Sequence, residues 1–190
     1  GWVSMFDGKS LEGWQQINGT ANYEVVGNTI EGTTAEGSPN SFLCSKQNYS
    51  DFALKFEVKC DPRLNSGVQI RSESTEEYRD GRVHGYQVEI AANNNPGRIY
   101  DEARRARWLD EQIPEDPAPE PHFYEDDWNG YYVVCLGDMI MTWVNDKNVA
   151  YVVDSMTDEG FIGLQVHSFR GDSPAKVAWR NIYVKPVEYE

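Results

Sequence analysis

From residue 52 to residue 59 the chain alternates: Phe52, Leu54, Phe56 and Val58 are apolar, and Ala53, Lys55, Glu57 and Lys59 fall between them. Successive strand side chains point to opposite faces, so this run reads as a strand with one buried and one wet face. Shorter runs rich in apolar, β-branched and aromatic residues lie at 23–26, 29–31, 42–45, 132–136, 139–144, 149–153 and 177–184. Turn residues punctuate them at Gly27-Asn28, Gly137-Asp138, Asn145-Asp146 and Asp158-Glu159-Gly160. The Gly137-Asp138 pair separates two apolar runs and predicts a two-residue hairpin connection. No stretch keeps a helical period over three turns. Many short strands joined by close turns mean a sandwich, a jelly roll or a barrel.

Three further runs share a small pattern: Gln69-Ile70-Arg71, Gln87-Val88-Glu89 and Gln165-Val166-His167. In each, the other parity is apolar, with Val68/Ile70, Val88/Ile90 and Ile162/Leu164/Val166 turned to the core. The polar members then share one wall of a sheet, where a cation, a carboxylate and an imidazole stand beside three amides. Amides suit sugar hydroxyls, because each carries donors and an acceptor. Each residue also has a plainer reading. A strand Glu is commonly a solvated charge, Arg71 has acids close behind it in Ser72-Glu73-Ser74-Thr75-Glu76-Glu77, and a lone His is more often structural. Their coincidence on polar-parity positions next to Gln favours a site.

Residues 93–127 break the rhythm. They carry Asn93-Asn94-Asn95-Pro96-Gly97, basic residues at Arg104, Arg105 and Arg107, then Pro114, Pro117, Pro119 and Pro121 among acids. A loop this long inside a compact domain is usually functional or disordered, and Tyr100, Trp108, Phe123 and Tyr124 favour ordered packing. The expectation is a long loop insertion forming a wall or lid over the polar face. A surface excursion held by its own hairpin is the plainer alternative.

The chain of 190 residues is long enough for one two-layer β core and short for two independent units, so one domain over 1–190 is expected. Its 31 acidic against 17 basic residues give a formal net charge of -14, which argues against nucleic acid, since neutralising phosphates needs clustered cations. No apolar run approaches the roughly 20 residues that span a bilayer. The chain opens on Gly1 where a start Met would stand, which reads as a mature or trimmed form and is compatible with a removed export signal. Cys44, Cys60 and Cys135 read as buried small hydrophobes, with one disulfide as the other reading. There is no GxSxG elbow, HExxH helix, phosphate-cradling glycine loop or zinc-spaced Cys/His cluster. No cofactor is required by these residues, although one Glu, one His and carbonyl oxygens would suit a weak divalent ion. Retaining glycosidases need two flanking carboxylates, and laminarinase-type jelly rolls carry them as Glu-x-Asp-x-x-Glu on one strand. Here Glu89-Ile90-Ala91-Ala92-Asn93 offers no second acid.

An ordered set of segments resembles the 3-keto-disaccharide hydrolase domain family over essentially the whole chain. It comprises Phe6-Asp7-Gly8-Lys9-Ser10-Leu11-Glu12-Gly13-Trp14, Tyr49-Ser50-Asp51-Phe52, Asn65-Ser66-Gly67-Val68-Gln69-Ile70-Arg71, Gly85-Tyr86-Gln87-Val88-Glu89-Ile90, Trp128-Asn129, Gly163-Leu164-Gln165-Val166-His167 and Arg180-Asn181-Ile182. The resemblance implies an all-β fold, a two-sheet antiparallel β-sandwich of the concanavalin-like jelly-roll kind, with a sugar or glycoside ligand on the concave sheet. It also implies an exported bacterial protein, periplasmic or of the cell envelope. Where the family usually has Glu and, two residues later, Gln, this chain has Gln87 and Glu89, which moves the carboxylate about 7 Å along the strand on the same face. The segment Gly97-Arg98-Ile99-Tyr100-Asp101-Glu102-Ala103-Arg104-Arg105 resembles a loop in part of the family and suggests Tyr100, Asp101 and Arg104 as rim residues. The length and aromatic content of the long loop separately predict that an aromatic such as Tyr100 or Trp108 faces the ligand.

The chemistry implied is cleavage of a 3-keto-glycoside. A ketone at C3 makes the C2 proton acidic, so one base removes it and the glycosidic oxygen leaves C1 by β-elimination. His167 is the expected base, Glu89 or Tyr100 the acid, and Arg71 the electrophile for the oxygen at C3, with Asn65, Gln69, Gln87 and Gln165 orienting hydroxyls. A non-catalytic carbohydrate-binding module uses the same face without turnover, and a structural accessory domain in an envelope complex buries it against a partner.

Overall fold

In the computed structural model of the protein, residues 1–91, 95–110 and 123–190 are described. They form β1 (Val3–Ser4), β2 (Trp14–Ile17), β3 (Asn22–Val26), β4 (Thr29–Thr33), β5 (Ser41–Ser45), β6 (Phe52–Cys60) and β7 (Ser66–Glu73). After a single 3₁₀ turn at Arg79–Gly81 come β8 (His84–Ile90), β9 (Ile99–Glu102), β10 (Asn129–Leu136), β11 (Met139–Val144), β12 (Lys147–Val153), β13 (Phe161–Val166) and β14 (Lys176–Pro186). The protein is an all-β sandwich of two antiparallel sheets. One has the order β12-β11-β10-β6-β14-β4-β3 with β1 added beside β14, and the other the order β2-β5-β13-β7-β8-β9. Among the described residues no helix is long and apolar enough to cross a membrane.

The alternation along 52–59 is realised in β6, where Phe52, Leu54, Phe56, Val58 and Cys60 are buried and the residues between them are partly exposed. Their side chains meet Val68, Ile70, Val88, Ile90, Ile162, Leu164 and Val166 of the other sheet in one continuous core. Phe56 stacks on Tyr131 with ring centroids 5.0 Å apart. Burying each such aliphatic side chain contributes about 1.5–3 kcal/mol relative to leaving it in water. The turn at Gly137-Asp138 is the expected two-residue connection, with Leu136 paired to Met139. All three cysteines are buried and free, so the small-hydrophobe reading applies and the disulfide does not.

Two features of the six-stranded sheet decide where polar residues point. The first is a bulge. The pairing of β7 with β8 shifts register between Ile70 and Glu73, its pairing with β13 shifts between Phe161 and Gly163, and Arg71 takes a left-handed φ of 43°. Gly160 presses on this bulge so closely that a Cβ there would lie 2.4 Å from the backbone of Arg71 and Ser72. The second is β9, which falls inside the segment expected as a long loop. It pairs with β8, and the chain then returns so that Trp108 bridges to Tyr100. Much of the described part of 93–127 is therefore the edge of the sheet rather than an excursion. The prolines at 114, 117, 119 and 121 lie outside the described residues.

Candidate functional site

The outer face of the six-stranded sheet carries the amides in register. Gln165, Gly67 and Glu89 form one cross-strand row, and Gly163, Gln69, Gln87 and Tyr100 the next. Part of this face is roofed, because Val83 packs against Phe42, Cys44 and Phe161 in a second apolar cluster. Beyond the roof a cavity of about 440 Å³ is lined by Asn65, Gln87, Glu89, Tyr100, Trp108 and His167, together with Arg79, Arg82 and Glu102. Six residues expected from sequence thus share one cavity.

Glu89 sits at its floor with 3% of its surface exposed. Burial pushes its carboxyl up to about 7, against the opposing effect of hydrogen bonds from Gln87, whose Nε2 lies 3.0 Å from Oε2, and from Asn65. A carboxyl near neutrality can either give or take a proton at physiological pH. Gln87 is placed by its neighbour: a Cβ on Gly67 would lie 2.6 Å from Cγ and Cδ of Gln87, so only glycine leaves room for the amide to fold over β7 towards Glu89. At the partly exposed His167, Nδ1 is 2.7 Å from the Ser168 carbonyl. A carbonyl only accepts, so Nδ1 carries the proton in this bond and Nε2 of the neutral ring keeps its lone pair. Tyr100 is half-buried, and burial, with nearby acids, raises its pKa and keeps the phenol protonated.

Glu102 and the two arginines were not expected from sequence. Glu102 could have been found, since it stands two residues after Tyr100 and shares its face by strand parity. Burial raises its pKa, opposed by Arg82, His167 and a hydrogen bond with Asn40. The Arg82 guanidinium is 3.9 Å from its carboxylate. Asn40 also accepts from the Ser168 backbone N–H at 2.8 Å, which ties Glu102 to the turn carrying His167. Arg79 and Arg82 come from an aperiodic, charge-rich loop that carries no positional signal.

Five expected site residues lie outside the cavity lining: Arg71, Asp101, Arg104, Gln69 and Gln165. Arg71 is buried away from the cavity, donating to the carbonyls of Ser50 at 2.7 Å and Gly137 at 2.6 Å and to the Asp51 carboxylate at 2.9 Å. The bulge breaks the parity that would have put it beside Gln69, so it clamps the two sheets at one end. Asp101 and Arg104 also face away. Adjacent strand residues point oppositely, and since Tyr100 faces the cavity Asp101 cannot. Asp101 instead accepts from Arg104 Nε at 2.8 Å and pairs with Arg105, which bridges to Asp154 at 2.8 and 3.0 Å. The Arg104 guanidinium lies 4.9 Å from the Tyr86 ring centroid. Gln69 stands on the expected face, but its Nε2 is engaged by Ser72 at 2.9 Å and it does not reach the cavity lining.

Gln165 is fully buried on the same face, and neither end of its amide has a partner among the described residues. Oε1 of Gln69, Oε1 of Gln87 and Oδ1 of Asn65 are likewise unpartnered. Each unmet buried polar group costs about 1–3 kcal/mol, so a cluster of them marks a place that water or ligand hydroxyls complete. Among the described residues, no group of three or more His, Cys, Asp or Glu could hold a metal ion.

A family model described as a 3-keto-alpha-glucoside-1,2-lyase-like domain matches residues 1–185. No curated protein matches the chain. Among solved structures, the chain is similar to a glycosyl hydrolase candidate from Parabacteroides distasonis ATCC 8503, with a TM-score of 0.71 at 17% identity over 99% of this chain and 94% of that one. It is also similar to the carbohydrate-binding module CBM66 from Bacillus subtilis, with a TM-score of 0.65 at 21% identity over 90% and 93%. A β-1,3-1,4-glucanase from a mouse hindgut metagenome follows the same fold, with a TM-score of 0.57 at 13% identity over 92% and 93%.

Proposed function

For a chain that belongs to the 3-keto-alpha-glucoside-1,2-lyase-like domain family, we propose that the Glu89–His167 cavity binds a 3-keto-glycoside and cleaves it by β-elimination. The observation that carries the reading is Glu89: a carboxyl poised near neutrality in a cavity that also holds an imidazole and unpartnered amide atoms. His167 Nε2 takes the C2 proton, and electrons pass to the ketone oxygen at C3 as an enolate forms. The enolate collapses, C1 loses the glycosidic oxygen, and protonated Glu89 or Tyr100 supplies that oxygen with its proton. Arg71 is replaced as enolate stabiliser by a cation of the cavity itself, Arg82, because a guanidinium committed to the far end of the sandwich cannot reach the substrate.

The second acid does not restore a retaining mechanism. Glu102 pairs with Gly85, four residues before Glu89 on β8, which separates the two acids by about 13 Å along the strand at ~3.3 Å per residue. That backbone spacing is wider than the ~5–5.5 Å between carboxyls that a covalent double displacement uses. An inverting pair with water between is the rival, and it has no use for a ketone.

The test is aglycone release from paired 3-keto and unoxidised glycosides. Release from the 3-keto form only, with a primary isotope effect for deuterium at C2, is the expected result. His167→Ala and Glu89→Gln should each lower turnover about 10²-fold or more. Equal cleavage of both forms favours the inverting pair, and binding without turnover leaves a carbohydrate-binding module.

A further inference from the structure

The cavity's cations are out of keeping with the rest of the molecule. Over the chain acids outnumber bases 31 to 17, yet this lining sets two arginines, Arg79 and Arg82, against two acids, Glu89 and Glu102. Arg82 is partly satisfied by Glu102. Arg79 has no ion pair among the described residues, although Glu76, Glu77 and Asp80 are its near neighbours in sequence.

The backbone presenting these arginines is strained and well braced. Arg79, Asp80 and Gly81 take successive left-handed φ values of 47°, 54° and 87°. A non-glycine residue in this region is unfavourable and persists only where its surroundings impose it. Here they do. The Gly81 carbonyl accepts from Ser74 Oγ at 2.6 Å and Asn18 Nδ2 at 3.1 Å, and Asn18 Oδ1 accepts from the Val83 N–H at 2.8 Å. On the other side Tyr78 donates to the Ala103 carbonyl at 2.8 Å and packs on His84 with ring centroids 4.0 Å apart. The turn is thereby fixed both to the β2–β3 connection and to the end of β9. A braced, strained turn that holds two guanidiniums at one cavity suits an anion, which their planar forks bind with two parallel hydrogen bonds.

We propose that Arg79, on the turn it shares with Arg82, is a subsite for an anionic substituent on the bound sugar, either the carboxylate of a uronic acid or a sulfate ester, which leaves Arg82 to the oxygen at C3. The proposal rests on the reading of the cavity as a sugar site and narrows its ligand to acidic glycosides. Glu102 fits this arrangement, because at 3.9 Å its carboxylate holds the Arg82 guanidinium only loosely. A neutral ligand would leave Arg79 with the Tyr78 ring, its centroid 5.3 Å away, and no anion.

The experiment measures binding of the full chain to a panel of oligosaccharides with shared backbones in neutral, uronate-bearing and sulfated forms, the 3-keto derivatives included, at low and high salt. The acidic forms should bind about 10-fold or more tightly than their neutral counterparts, with the advantage shrinking as salt rises. Arg79→Gln should abolish the preference and Arg79→Lys should retain part of it, while Arg107→Gln, an exposed arginine outside the lining, should leave it intact. Whether uronates or sulfates are preferred identifies the group. Equal binding of neutral and acidic forms, or a preference that survives Arg79→Gln, overturns the anion subsite and leaves the sugar site standing. Failure of every glycan to bind overturns both.

Discussion

Glu89→Gln should make the protein more stable at alkaline pH and leave it unchanged at acid pH. The folded-state carboxyl is raised from 4.5 to about 7, chiefly by burial. A group whose pKa is raised on folding contributes most below its unfolded value, and that contribution is lost as pH climbs through the folded value. The window is therefore about pH 4.5 to 7, and the full difference, at ~1.4 kcal/mol per pKa unit, is about 3 kcal/mol. Glutamine keeps the shape and an oxygen for Gln87 Nε2 to donate to, but never ionises. Urea denaturation of both proteins at pH 4 and pH 8.5 reads the effect directly: equal midpoints at pH 4, and a variant more stable by about 3 kcal/mol at pH 8.5. Because the variant is also expected to lose turnover, a gain in stability paired with a loss of activity would identify a carboxyl kept buried for its chemistry. Parallel pH dependences in the two proteins would refute the claim that Glu89 carries a displaced pKa.

Arg71→Met should lower stability by about 3–5 kcal/mol, the scale for removing one partner of a buried ion pair, or roughly 6–20 °C in Tm at ~2–4 °C per kcal/mol for a domain of this size. Ligand affinity of the folded protein should be unaffected, and an unchanged Tm with lost turnover would return Arg71 to the chemistry. Gly67→Ala should cost about 1–3 kcal/mol by displacing the Gln87 amide. The cost should shrink in a Gln87→Ala background, so additive effects in denaturant melts would show that Gly67 is not kept clear for Gln87.

The legibility of this chain in its sequence followed the two-residue period of the strands. Where the period ran unbroken, as in β6, β8 and β13, it gave the core face and the cavity face, and Gln87, Glu89 and Gln165 stand where alternation puts them. Where one residue was inserted it failed at once. The bulge after Ile70 turned Arg71 from the outer wall into a clamp between sheets, and nothing in the run Gln69-Ile70-Arg71-Ser72 announces it, because the bulge meets the close approach of Gly160, which lies just before β13 and far away in sequence. Asp101 was misplaced for the opposite reason. The period was present in β9 but hidden by reading the segment as loop, and applying it would have exchanged Asp101 for Glu102 in the site.

That exchange changes what the cavity can do. With Asp101 at the rim and Arg71 on the wall, the site would have one strong acid and one distant cation. With Glu102 and Arg82 3.9 Å apart, it has a carboxyl and a guanidinium that partly neutralise each other next to His167. Glu89, on the floor, then remains free to change protonation without leaving the cavity grossly charged. The division also explains the placement of the buried Asp101–Arg105–Asp154 network on the opposite face. There, hydrogen bonds from Arg105 and Tyr86 outweigh burial and hold the Asp154 carboxyl down at about 2, so it stays ionised and structural at any pH where Glu89 titrates. The Glu89 and Asp154 carboxyls are thus shifted in opposite directions, and only the one facing the cavity is available for proton transfer.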